Sequence, residues 1–225
     1  MKNYKLDSNV SVLSDNNFSY EEYKEIVNEY VEKDSRELNF QNRVLIPMLE
    51  KLLINSDIVV ADTSTLYYRG KKNSKTLDNF QFMAKDYAPP DLVLAINWNI
   101  DNISNAVEYI AAIEIKSPES DEHIYGKDFN EYPEHVITEV KAHLSCIDKV
   151  ILTDCYRWQF FESEFVDTPP IDLVDENKQW KESFIVINDF ASELLGIKQN
   201  DKTTVQEPKE WRLLQQKILS FVGLE

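Results

Sequence analysis

Two short runs constrain this chain more than anything else in it: Leu92-Val93-Leu94-Ala95-Ile96 and Tyr109-Ile110-Ala111-Ala112-Ile113. Runs this apolar and this short read as buried strands. Asn97 to Asn105 separates them and is rich in the Asn and Asp that favour turns, so the two strands are predicted to be antiparallel neighbours. Each run is tipped with charge. Asp91, following Pro90, opens the first, and Glu114-Ile115-Lys116 closes the second. Two acids and a lysine fastened to the ends of buried strands need a reason to be there.

The rest of the chain supplies helices for such a sheet. Tyr23, Ile26, Val27, Tyr30 and Val31 recur at helical spacing within 19–32. Asp34, with Glu37 three residues later, fits a capping box, after which Leu38, Leu45, Met48, Leu49 and Leu52 line one face of a second helix that Pro47 is placed to bend. Ile58 to Ala61 is a short strand, and the Lys-rich span 69–79 is a loop or hairpin tip. Val136, Val140 and Leu144 mark a helix that Pro133 helps to start, Val150 to Leu152 returns as a strand, and a hairpin partner follows over 156–161. Phe184 to Ile187 reads as a further strand, and 190–195 and 211–222 as two C-terminal helices. The expected fold class is α/β, with a mixed, mainly antiparallel central sheet flanked by helices in the order α-β-β-β-α-β. It is read as a single domain over 1–225, with a core of about 34–161, an N-terminal arm over 1–17 and a C-terminal elaboration over 162–225.

Composition narrows the setting. No apolar run approaches the roughly 20 residues that span a bilayer. Met1 to Lys5 lacks the apolar core of a signal peptide, and Cys146 and Cys155 form no metal or disulfide pattern, so a cytoplasmic location without membrane contact is expected. The charge balance is strongly acidic, 24 basic against 40 acidic residues for a formal −16. Proteins that grip DNA usually carry a basic footprint. Many of the acids, however, sit in segments that read as peripheral (Glu21-Glu22, 119–122, 162–164 and 172–176), and Arg69, Lys71, Lys72 and Lys75 form a local basic cluster.

Carboxylate oxygens are hard ligands suited to Mg²⁺, an ion that keeps several waters and binds through few protein groups plus phosphate. A nearby ammonium can orient a water or help deprotonate it. Along a strand the two-residue period puts Glu114 and Lys116 on one face while Ile115 points into the core.

Pro90-Asp91 followed by Glu114-Ile115-Lys116 resembles the signature of the PD-(D/E)xK, or restriction-endonuclease-like, nuclease superfamily. The likeness spans roughly residues 34 to 161, and the chain closely resembles the nuclease domain that begins type I restriction R subunits. A helical glutamate precedes the sheet in that group, and Glu37 stands at the matching place. The resemblance implies that Asp91 and Glu114, with the Ile115 carbonyl, bind Mg²⁺, with Mn²⁺ as an alternative. Lys116 would position or activate the water, and Glu37 would assist from its helix. It also implies in-line hydrolysis of DNA phosphodiester bonds in restriction, phage defence or phage biology, by a homodimer or a subunit of a larger complex. Replacing Asp91 or Lys116 by Ala is then expected to abolish cleavage without unfolding the protein. The chain departs from the pattern in two places. Where relatives often carry Gln-xxx-Tyr, it has Glu139 and His143, and where Asn-Gly is usual it has Asp154-Cys155.

Plainer readings stand beside these. Glu37 serves as a helix cap, Lys116 lies at an exposed strand end paired with Glu114, His143 packs on a helix face, and Tyr156, Trp158, Phe160 and Phe161 build core rather than stack on bases. Two other functional readings remain open: a nuclease-fold protein that binds without cutting, as an acidic inhibitor or a subunit of a defence complex, and metal-dependent hydrolysis of RNA or a small nucleotide.

Overall fold

A computed structural model describes residues 18–64, 82, 88–99, 107–163, 168–187 and 203–224. The expected arm over 1–17, the basic cluster at 69–75 and the helix at 190–195 lie outside these residues. Six strands form one open sheet in sequential order: β1 (Ile58–Asp62), β2 (Leu92–Ile96), β3 (Glu108–Ile115), β4 (Lys149–Thr153), β5 (Arg157–Glu162) and β6 (Ile171–Asp172). Every neighbouring pair is antiparallel except β3 and β4. That parallel pair is joined by a crossover containing helix α4 (Glu134–Leu144), whose start follows Pro133 as expected. The predicted order of helix, three strands, helix and strand is therefore present.

Alternation along the central strands explains why their sequences are apolar throughout. Leu92 and Leu94 of β2, with Ala111, Ile113 and Ile115 of β3, face one core; Val93, Ala95 and Ala112 face the other. The first core is covered by α1 (Tyr20–Lys33), the helical segment from Glu37 to Leu52, and a C-terminal helix, α5 (Lys209–Phe221); α4 covers the second through Val136 and Val140. Each face removes several large side chains from water, each contributing about 1.5–3 kcal/mol. The two described ends of the chain meet on the first face. Tyr20 N–H donates to Glu207 Oε1 at 2.8 Å, and the Tyr20 and Tyr23 rings pack on Trp211 at centroid distances of 5.8 and 4.9 Å. Strands β7 (Phe184–Ile187) and β8 (Thr203–Gln206) form a separate antiparallel pair. Of these, β7 was expected and β8 was not.

The second helix departs from its expected form. It runs as α2 (Glu37–Phe40), a π-helical turn (Gln41–Leu45) and α3 (Ile46–Leu52). Pro47 has no N–H and its ring crowds the carbonyl four residues back, and the wider turn just before it accommodates both. The extra residue rotates the first turn relative to the rest, which leaves Leu38 half exposed while Phe40, Val44, Leu45, Met48 and Leu49 are buried. The Asp34 and Glu37 capping box does not form. The cap position is Arg36, which makes Glu37 the first helical residue instead of the third, and Asp34 instead accepts from the Arg36 guanidinium at 2.8 Å. No described helix is long and apolar enough to cross a membrane.

Candidate active site

The register between β2 and β3 decides whether the two acids meet. Leu92 pairs with Ile113, so one step further places Asp91 opposite Glu114. The Ile115 N–H donates to Asp91 Oδ2 at 2.8 Å, tying the acid to the strand that carries its partner. From the other side, the N–H groups of Thr63 and Ser64, at the end of β1, donate to the Asp91 carbonyl at 3.0 and 3.3 Å. The Thr63 hydroxyl donates to the Pro90 carbonyl. Asp91 thus stands on backbone held by two neighbouring strands.

Glu114 and Lys116 project to the α4 face while Ile115 is fully buried in the opposite core, as the strand period requires. Lys116 is not at an exposed edge: its N–H continues the parallel ladder to the Thr153 carbonyl at 2.8 Å, and the residue is only 4% exposed. Its ammonium meets Glu114 Oε1 and Glu139 Oε2, each at 2.9 Å, and Glu122 Oε2 at 3.4 Å. Glu114 Oε2 is 3.2 Å from His143 Nε2. Glu37 reaches the same rim from α2, its Oε1 accepting from the Ser117 N–H at 3.4 Å. Glu122 continues outward to the exposed His135, at 3.0 Å.

Asp91, Glu114, Lys116 and Glu37 are therefore brought together, and three further residues join them. Glu139 and His143 stand out in the sequence for their spacing, but their contacts with Lys116 and Glu114 follow only from how α4 docks. Glu122 lies in a polar loop that reads as peripheral; nothing local marks it, because the loop's folding onto the buried Asp154 is a tertiary event. Asp154 accepts from the N–H groups of Ile124 and Tyr125 at 2.8 and 2.7 Å, and from Tyr156 and Arg157 in its own turn. Tyr156, Trp158, Phe160 and Phe161 are all buried and pack in the two cores.

The electrostatics follow from five carboxylates around one lysine. Burial and then the Glu114 charge push the Asp91 carboxyl well above its usual range, against the bond from the Ile115 N–H. Burial raises Glu37 as well, with Lys116 opposing and Glu114 and Glu122 adding. Burial works against the Glu114 charge too, but His143 and Lys116 more than offset it and hold this carboxyl below its ordinary value. Burial works to lower Lys116, yet Glu114 and Glu139 drive it far above the normal ammonium range.

Among the described residues, no group of three or more His, Cys, Asp and Glu side chains forms a ready-made metal cage. The donors do fit an ion that keeps most of its waters. Asp91 and Glu114 are hard oxygen ligands on facing strand positions, and their oxygens keep lone pairs beyond the hydrogen bonds from Ile115, Lys116 and His143. A cavity of about 260 Å³ lined by residues including Lys127, Tyr132, Arg157 and Gln159 shares no residue with this cluster, and its cations are already engaged. Arg157 is held by Asp172, and Lys127 by the Asp121 and His123 carbonyls.

Fold and site together define an α/β protein with an open, mixed and mostly antiparallel sheet that presents a carboxylate-lysine cluster at the adjoining ends of its central strands. Comparison with models of protein families, with characterised proteins and with solved structures finds no match.

Proposed function

We propose that this chain is a divalent-metal-dependent nuclease of the PD-(D/E)xK kind, with a restriction-endonuclease-like core, that hydrolyses DNA phosphodiester bonds in restriction, phage defence or phage biology. The observation that carries this reading is Asp91 facing Glu114 across two central strands, with Lys116 on the same face one strand period beyond. Asp91 and Glu114, with the Ile115 carbonyl, would hold Mg²⁺ or Mn²⁺, and Glu37 would assist from α2. When bound, the ion supplies charge neutralisation at the phosphate and eases deprotonation of a water. Lys116 is held charged by its carboxylates, so it serves as a fixed cation that orients the attacking water or the phosphate and not as a base.

The test is incubation of supercoiled and linear DNA with the protein and Mg²⁺ or Mn²⁺. Cleavage by the wild type, its loss with chelator and a fall of roughly 10²- to 10³-fold in Asp91→Asn support the reading. Equal cutting by Asp91→Asn rejects it, and cleavage of RNA alone moves the substrate class. A second reading, a nuclease-fold binder that does not cut, draws on the −16 charge and on the internal pairing of Lys116. No uptake of Mn²⁺ and no cleavage, together with a stable complex with a basic partner, would favour it.

A further inference from the structure

Helix α4 carries two residues one turn apart that reach the two charged residues of β3. Glu139 Oε2 lies 2.9 Å from the Lys116 ammonium, and His143 Nε2 lies 3.2 Å from Glu114 Oε2. His143 is 1% exposed, and its Nδ1 has no hydrogen-bond partner among the described residues. A core histidine kept only for packing would ordinarily satisfy both ring nitrogens or give way to an apolar side chain. Here only the nitrogen facing Glu114 is used, and because a carboxylate oxygen only accepts, that Nε2 is the donor of the pair. On the opposite side of the carboxylate, Oε1 is drawn toward Lys116 at 2.9 Å. That pair, an ammonium and a carboxylate two residues apart on one strand face, is closed, and α4 grips both of its outer ends: Glu139 holds the ammonium and His143 the far oxygen of the carboxylate.

We propose that His143 and Glu139 are positioning residues, a two-point clamp on α4 in which His143 fixes the Glu114 carboxylate from the oxygen opposite Lys116 and Glu139 fixes the Lys116 ammonium by sharing it with Glu114. The clamp rests on the nuclease reading, because it gives Glu114 its metal-binding orientation. His143 acts on ion affinity through Glu114, whereas Glu139 acts on turnover through Lys116. Removing a group that orients a metal ligand typically weakens affinity by about 10- to 100-fold.

Mn²⁺ binding, measured by calorimetry and by electron paramagnetic resonance, is compared with cleavage for the wild type, His143→Leu, His143→Gln and Glu139→Gln. His143→Leu is expected to bind Mn²⁺ about 10- to 100-fold more weakly. His143→Gln, which restores a donor toward Glu114, should recover most of that loss. Glu139→Gln is expected to keep its Mn²⁺ affinity while turnover falls. Nitrogen-detected spectra of the wild-type imidazoles give a readout independent of variant folding: the His143 ring should carry its proton on Nε2 and shift when Mg²⁺ is added. Wild-type affinity in His143→Leu, failure of His143→Gln to recover binding, or a His143 ring indifferent to Mg²⁺ overturns the clamp while leaving the nuclease reading intact. A wild type that takes up no Mn²⁺ and does not cut overturns both.

Discussion

Asp91 is a carboxylate that the folded protein holds at a cost. Its carboxyl lies well above the ordinary value of 3.8, through burial and the Glu114 charge, so the sign of its pH effect is set. Its contribution is fully present below about pH 4 and is lost as the pH rises through the raised folded value. Asp91→Asn should therefore be more stable than the wild type at pH 8, with the gap in urea midpoint narrowing toward pH 4; an absent or inverted gap would show that the charge is already compensated. Mg²⁺ at about 100 times its dissociation constant should add about 2.7 kcal/mol to the wild type and little to this variant. Lys116 behaves in the opposite sense. Because it stands among Glu114, Glu139 and Glu122, Lys116→Ala is expected to lose about 3–5 kcal/mol in chemical denaturation as well as activity. Asp91→Asn is accordingly the cleaner probe of chemistry, a distinction that the sequence-based expectation of intact folding for both Ala variants did not make.

The π turn at Gln41–Leu45 is the element that aims Glu37. It amounts to one extra residue in a helix, so deleting Asn42 should regularise the helix and turn its first residues by about 100°. Glu37 would leave the Ser117 N–H, and cleavage should fall while circular dichroism still reports the helix; unchanged cleavage would remove Glu37 from the site. Elements with a strong period were legible beforehand: α1, α4 and α5, the central strands, and the acids at their ends. The π turn was hidden because Leu45, Met48, Leu49 and Leu52 suit an unbroken helix, and only the exposure of Leu38 betrays the shift. The two-residue β6 is too short to carry a period, and β8, Thr203–Gln206, has one apolar residue in four. Cys155 adopts φ +68°, a conformation imposed by the Asp154 turn that its residue type gave no reason to expect. Glu122, Glu139 and His143 join the site by docking of a loop and a helix, which no local pattern encodes.

At the scale of the whole molecule, a formal −16 opposes a polyanionic substrate before any contact is made. Added salt screens that repulsion over about 8–10 Å near physiological strength. For a DNA substrate, single-turnover kcat/KM should therefore rise between low salt and about 0.15 M NaCl at fixed Mg²⁺; a steep fall would mean that local basic surface outweighs the net charge. The clasp between Tyr20, Tyr23, Glu207 and Trp211 joins residues up to 191 positions apart in sequence. During translation, at roughly 5–20 residues per second, the aromatic face of α1 waits on the order of ten to forty seconds for its cover to be synthesised. Through that interval the tyrosine face has only the partners made earlier, among them Cys155, Trp158 and Trp180, and its last cover arrives with α5.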